Sequence, residues 1–368
     1  MQNVLDYVLE EQRSMKEFPF SEVDSLVLSE LAYMHIGNVP QKVSIKDLFR
    51  TEEFASYFEG FDPSVNNRLL LAWCAASPRY RNLQVLDHES HFDEKEETQF
   101  SATTFLLPDH SLFIAYRGTD NSFVGWKEDF NMAFLFPVPS QEQGLRYLEK
   151  IAGSWKGKIT LGGHSKGGNT AQYAASFAGK TIQERIQAVY SHDGPGFTEN
   201  IFASEGYLAV ADKMHKTVPQ SSLIGMLLEH HGPYTAVESC QNDGIMQHDP
   251  FSWRVEQSHF VPMEMQGQSI ALNKGLYKWL CSLDEEKRKK FVDSLYHLLV
   301  GTGAPTMIGA LSPAYAKKRR ELLRAMDDET RRFMTRTIAL MVKYALPSLL
   351  VLHPRQLQKN DGSSTLMA

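Results

Sequence analysis

The stretch Lys158-Ile-Thr-Leu-Gly-Gly-His-Ser-Lys-Gly-Gly-Asn169 constrains this chain more than any other. A short apolar run, Ile159 to Leu161, meets Gly163-His-Ser165-Lys-Gly167, and an alanine-rich segment with helical spacing follows (Ala171, Ala174, Ala175, Ala178). The pattern is strand, sharp turn, helix, with Ser165 at the apex. A serine there sits on a strained backbone, and any Cβ at 163 or 167 would crowd it. The helix that follows aims free N–H groups and its positive dipole end at whatever Ser165 binds. In this setting G-x-S-x-G is a nucleophile elbow; the bare pattern also occurs in plain glycine-rich turns.

The elbow sits inside a regular alternation. Val23, Leu26, Val27, Leu31 and Met34 make an amphipathic helix, with Ser21 as its N-cap and Asp24 at the third helical position. Residues 45–58 and 64–77 are expected to be two more helices. Strands are expected at Leu83 to Asp87, Thr98 to Leu107 and Leu112 to Tyr116, with Asp93–Glu97 a charged loop. Leu112-Phe-Ile-Ala-Tyr116 is apolar on both faces, as a buried central strand requires. Helices follow around Trp126 and Phe130 and over 140–153, the second with Ser140 as its cap. Beyond the elbow come a strand over 187–191, a helix over 199–213, and strands at 215–218, 234–238 and 252–256. This alternation from 98 to 256 is the pattern of a doubly wound, mainly parallel sheet, with helices 1–78 as a lead-in. The catalytic domain is expected over 1–265, a helical C-terminal subdomain over 266–358 and a disordered tail over 359–368.

Composition narrows the function. The formal charge of −6 argues against a nucleic-acid partner. That charge is uneven, because residues 284–336 carry twelve Lys/Arg against eight Asp/Glu. Cys74, Cys240 and Cys281 are odd in number and far apart, so neither a disulfide framework nor a zinc site is expected. No metal or organic cofactor is expected. The N-terminus lacks a basic n-region and long apolar h-region, and no run of 18 apolar residues occurs; a cytoplasmic location is expected. Residues 317–352 join a basic stretch to an apolar helix, which suits packing on the domain or peripheral contact with an anionic membrane.

A serine nucleophile needs a base, an orienting acid and an oxyanion hole, and in this fold the order is Ser, then Asp or Glu, then His. His248, in Gln247-His-Asp-Pro-Phe-Ser-Trp253, lies in a loop between strands and far enough downstream to close the triad. His259 is the reserve, while His230 and His231 suit a helix cap.

Ile114-Ala-Tyr-Arg-Gly-Thr-Asp120 and Gly163-His-Ser-Lys-Gly-Gly-Asn169 resemble the F-R-G-T and G-H-S-L-G-G segments of class 3 (fungal-type) lipases. Phe20-Ser-Glu-Val-Asp-Ser-Leu-Val-Leu-Ser29, the segment Val218–Leu227 and Gln247–Trp253 resemble more closely the bacterial, lipase-like Mbeg-like family of α/β-hydrolases. The resemblance implies Ser165 as nucleophile, His248 as base, and the backbone N–H groups of Lys166 and Thr119 as oxyanion donors, with the Thr119 hydroxyl as a further candidate. Arg117 would tether the Thr119 loop. The chain departs from the lipases at the acid: their D-x-V-P carboxylate is replaced by Val218-Pro-Gln-Ser-Ser222. Asp193, in His192-Asp-Gly-Pro-Gly196, is the substitute, against a turn-forming role for it; Asp243, Asp249 and an uncharged Ser222 are the alternatives. Lys166 stands where those lipases have leucine, either biasing the site toward anionic substrates or solvated on the helix face. The expected activity is hydrolysis of small-molecule or lipid esters. The alternatives are a non-catalytic binding protein of the same fold, and thioesterase, peptidase or acyltransferase chemistry on the same triad.

Overall fold

The computed structural model describes residues 2–37, 42–50, 52–58, 65–198, 201–242 and 244–350. The expected tail at 359–368 and Asp243 lie outside the described residues.

Eight strands form one sheet in sequential order: β1 (Val43–Ser44), β2 (Gln84–Asp93), β3 (Thr98–Leu106), β4 (Leu112–Tyr116), β5 (Ile159–His164), β6 (Ile186–His192), β7 (Met214–Pro219) and β8 (Tyr234–Val237). Strands β4 to β8 are parallel neighbours, while β1 to β4 pair antiparallel. The antiparallel pairing of β2, β3 and β4 follows from the short turns at 94–97 and 107–111, which leave no room for a crossover helix. From β4 onward each crossover is long enough to return the chain in parallel.

Both faces of the sheet are covered, and β4 shows how. Phe113 and Ala115 join a core with Leu26, Leu31, Leu70 and Trp253, whereas Leu112, Ile114 and Tyr116 join Leu148, Ile151, Ala171 and Ala174 on the other side. The first side is covered by the N-terminal helices Val4–Glu10, Glu22–Leu31 and Val65–Ala76; the second by the Pro139–Ser154 and Lys166–Phe177 helices. Ser21 and Asp24 close a capping box on the Glu22–Leu31 helix. Asp24 does more than cap. Fully buried, it accepts hydrogen bonds from Arg79 Nε at 2.7 Å and from the Tyr80 hydroxyl at 2.5 Å, which ties the lead-in together.

Several local expectations shift. The helix expected at 45–58 is an α-helical Ile45–Phe49 followed by a 3₁₀ turn, Glu52–Phe58. The Pro139–Ser154 helix is capped from Val138, with Pro139 at its first position, so Ser140 lies inside and its N–H donates to Glu128 Oε1 at 2.8 Å. The 199–213 region holds only short pieces among its described residues, the longest being Glu205–Leu208; Gly206 sits so close to the Ser176 carbonyl that a Cβ would lie 2.0 Å from it. The 252–256 strand is a two-residue pairing of Val255–Glu256 with His259–Phe260.

The C-terminal helices pack onto this body. Gly267–Cys281 lies against Asp328–Leu350, and Glu285–Val300 lies against Phe123–Asn131. Leu299, Met307 and Ala310 meet Phe123, Trp126 and Phe130 there. Among the described residues no helix is long and apolar enough to cross a membrane.

Candidate active site

Strand β5 delivers Ser165 at a backbone φ of 58° and ψ of −133°, a conformation that L-residues rarely adopt. Such a residue costs about 1–3 kcal/mol and persists only where its surroundings hold it. The holding contacts are present: Ser165 N donates to the His192 carbonyl at 2.9 Å, and Gly168 N to the Ser165 carbonyl at 2.9 Å. The two glycines of the motif are demanded sterically. A Cβ on Gly163 would lie 2.3 Å from the Gly167 carbonyl carbon, and one on Gly167 would lie 2.0 Å from the Tyr116 carbonyl oxygen.

His248 reaches Ser165 from 83 residues downstream, with Nε2 3.0 Å from Ser165 Oγ. Its Nδ1 lies 2.6 Å from Asp193 Oδ2. Asp193 is fully buried and takes a positive φ of 49°, so it shapes its turn and also faces the histidine. Its second oxygen, Oδ1, accepts from Ser222 Oγ at 2.5 Å and Gly225 N at 3.1 Å. Both oxygens of the carboxylate are therefore committed, and it can turn neither toward solvent nor away from His248. The residue before His248 is pinned as well: Trp253 Nε1 donates to the Gln247 carbonyl at 2.7 Å, and Ser221 N to Gln247 Oε1 at 2.8 Å.

The other candidates fall elsewhere. Asp249 caps the turn after His248 by accepting from Phe251 N at 3.1 Å. Ser222 donates its hydroxyl to the Asp193 carboxylate, while the hydrogen-bond partners of the histidine ring are Asp193 and Ser165. His259 is exposed beside Glu22, and His231 pairs with Glu229 at 2.9 Å.

Lys166 corrects an expectation. Its side chain is neither in solvent nor at the serine; it is buried, donating to Glu128 Oε2 at 2.6 Å and to the Gln99 carbonyl at 2.9 Å. It therefore places no cation beside a bound anion. Its N–H is the first of the Lys166–Phe177 helix, where backbone donors have no intrahelical acceptor. Thr119 brings a second correction. Its hydroxyl lies 2.8 Å from Asp129 Oδ1 and 2.6 Å from Oδ2, so the hydroxyl proton is engaged and only the backbone N–H remains to offer. Burial pushes the Asp129 carboxyl up to about 6, with Lys166 and the Thr119 hydrogen bond pulling the other way. Arg117 is buried and reaches Asp120 Oδ2 at 3.7 Å and His35 Nδ1 at 3.3 Å, bracing the loop.

Three residues went unnoticed in the sequence: Lys127, Glu128 and Asp129 on the Phe123–Asn131 helix. They contact, in turn, Asp293 of the C-terminal helices, Lys166 beside the serine, and Thr119. Their run of three consecutive charges looks like an exposed helix face, and only the identity of their distant partners distinguishes them. Among the described residues no cluster of His, Cys, Asp and Glu converges to hold a metal ion.

A sequential sheet with parallel strands around a serine elbow defines an α/β-hydrolase fold. The chain belongs to the Mbeg1-like family, whose sequence profile matches residues 74–297. No curated protein matches it in sequence. Among solved structures it is similar to Rhizomucor miehei lipase in its propeptide complex, at 17% identity and a TM-score of 0.33, over 42% of this chain and 57% of that one. It is also similar to M37 lipase (16% identity, TM-score 0.38, 56% of this chain and 70% of that one). For Lip2 lipase from Yarrowia lipolytica the values are 13%, 0.38, 70% and 87%.

Proposed function

We propose that the chain is a serine hydrolase acting on carboxylic esters. One observation carries this reading: a serine in a strained elbow, a histidine nitrogen 3.0 Å from its hydroxyl, and a buried carboxylate 2.6 Å from the other nitrogen. Ser165 Oγ attacks the ester carbonyl while its proton passes to His248 Nε2. Asp193 holds the Nδ1 proton, fixing the tautomer and stabilising the imidazolium that forms. The carbonyl oxygen becomes an oxyanion, received by the Lys166 and Thr119 N–H groups. Collapse expels the alcohol, which takes the proton from His248 Nε2. Water, deprotonated by the same nitrogen, then releases the acid and restores the Ser165 hydroxyl.

The rival reading, a non-catalytic module, drew on the missing carboxylate at 218–222. Asp193, one strand earlier, fills that place at His248, which favours the enzyme. The test is covalent labelling by a fluorophosphonate together with hydrolysis of short p-nitrophenyl esters. Wild type is expected to do both, and Ser165→Ala and His248→Ala neither. Labelling that persists in Ser165→Ala would remove the nucleophile assignment.

We also place the protein at an anionic bilayer during turnover. Lys317, Lys318, Arg320, Arg324, Arg332 and Arg336 are exposed on the C-terminal helices, and Ile338 and Val342 are exposed further along the last of them. Exposed basic and apolar groups on the same helices suit adsorption to anionic lipid. Co-sedimentation with phosphatidylglycerol vesicles, but not phosphatidylcholine vesicles, is expected, and its survival in Arg332→Glu/Arg336→Glu would exclude this surface.

A further inference from the structure

Behind His248 lies a second histidine that the proposed chemistry does not use. His164 closes β5 immediately before Ser165 and is 6% exposed. Its Nε2 lies 3.0 Å from the backbone carbonyl of His248, and its Nδ1 3.1 Å from Glu30 Oε1. Its ring lies under that of His248, with centroids 4.6 Å apart and planes inclined by 33°. Glu30 is itself buried on the Glu22–Leu31 helix, and its other oxygen accepts from Asn67 Nδ2 at 3.3 Å. Both nitrogens of His164 thus face acceptors. A neutral imidazole protonated at Nε2 serves the His248 carbonyl and leaves Glu30 Oε1, buried and without a hydrogen-bond partner among the described residues, with no proton facing it; the imidazolium turns one proton toward each.

We infer that Glu30 and His164 form a positioning pair, in which a His164 imidazolium anchored by Glu30 holds the backbone and ring of His248 in line with Ser165 and Asp193. The inference rests on the proposed hydrolase reading for its consequence in rate. The hydrogen bonds of His164 go to the His248 carbonyl and the Tyr33 hydroxyl, not to the Ser165 hydroxyl, so it acts through His248. Its charge state is consistent with its surroundings. Burial pushes the His164 pKa down, but the Glu30 carboxylate and its hydrogen bond more than offset this, leaving it raised. The groups that face it are Glu30 and the Tyr33 hydroxyl (3.4 Å from Nδ1) from the N-terminal helices. His192 and Asp193 face it from the end of β6, and His248 and Asp249 from the base's loop. Deprotonation of His164 as pH rises leaves one donor for two acceptors and loosens one tether. Activity then falls on the high-pH side with the titration of His164.

The experiment uses the full chain and the variants Glu30→Gln, His164→Phe and His164→Gln. For Glu30→Gln and His164→Phe, kcat on p-nitrophenyl butyrate is expected to fall by about tenfold or more, with KM nearly unchanged, because the base is misplaced while binding is intact. The high-pH fall is expected to move to lower pH in Glu30→Gln. His164→Gln keeps an N–H toward the His248 carbonyl and is expected to recover part of the loss. A kcat within twofold of wild type and an unmoved pH profile in both Glu30→Gln and His164→Phe would overturn the inference. Histidine ¹⁵N NMR reads the pair without activity: His164 is expected to stay doubly protonated to higher pH in wild type than in Glu30→Gln. Identical titration in the two proteins would also overturn it. Failure of the hydrolase reading looks different, with no fluorophosphonate labelling of wild type while the NMR difference persists.

Discussion

The hydroxyl of Thr119 is hydrogen-bonded to the carboxylate of Asp129, ten residues along the chain and one helix away. The contact orients the loop whose N–H is assigned to the oxyanion. Thr119→Val removes the contact but keeps the N–H, and is expected to lower kcat by roughly tenfold, less than the 10²–10³ of losing an oxyanion donor outright. Steady-state kinetics on p-nitrophenyl esters measures this.

Asp129 also writes itself into the pH dependence of stability. Its folded pKa, about 6, lies above the ordinary value of 3.8, so the folded state binds the proton more tightly than the unfolded one. Its contribution to stability is therefore full at low pH and is lost as pH rises from about 4 to 6. Asp129→Asn is expected to lack this decline, which amounts to at most about 3 kcal/mol. Urea melts at pH 4.5 and 7 compare the two proteins.

Asp193 faces His248 with one oxygen and two donors with the other. Asp193→Asn is expected to lower kcat by about 10³–10⁴ with a small change in KM, since the amide favours the wrong histidine tautomer. Ser222→Ala removes one of the two donors and is expected to cost much less. Equal losses in the two variants would show that the carboxylate charge is unimportant.

The buried Lys166–Glu128 pair is a stability element. Lys166→Met leaves Glu128 without its cation, and breaking a buried pair costs about 3–5 kcal/mol. The double variant Lys166→Met/Glu128→Gln is expected to recover much of that loss. Thermal melts of the three proteins form the test.

Lys216 presents the opposite case. It is buried on β7 and its Nζ has no hydrogen-bond partner among the described residues. Burial lowers its pKa from 10.5 to about 8, with Asp193 opposing the shift. Here the unfolded state binds the proton more tightly, so stability rises with pH between about 8 and 10.5. Lys216→Met is expected to raise the melting temperature at pH 7 and to abolish that rise, an effect of at most about 3 kcal/mol.

The local features were legible in the residues. The elbow depends on glycines two positions either side of Ser165 and on the period of the flanking residues, all interactions of short range. The burial of β4 on both faces was legible for the same reason, because an unbroken apolar run has no polar face to present to water. His248 is legible from its place in a loop between strand candidates downstream of the elbow. For Asp193 the sequence leaves the triad acid against a turn former, because Asp-Gly-Pro-Gly is turn chemistry in any fold. In the folded chain its positive φ and its contact with His248 coexist.

What tertiary structure alone decided concerns side chains whose partners are remote in sequence. Lys166 is adjacent to the serine, yet its charge is spent on Glu128, 38 residues earlier. Glu30 and His164 are separated by more than a hundred residues and meet because the lead-in helix lies across the end of β5. A backbone elbow is specified by sterics within a few residues, and the sequence by itself determined it. A buried charge is specified by whichever opposite charge the packed fold brings within reach, and that is decided only when the helices and sheet have closed around it.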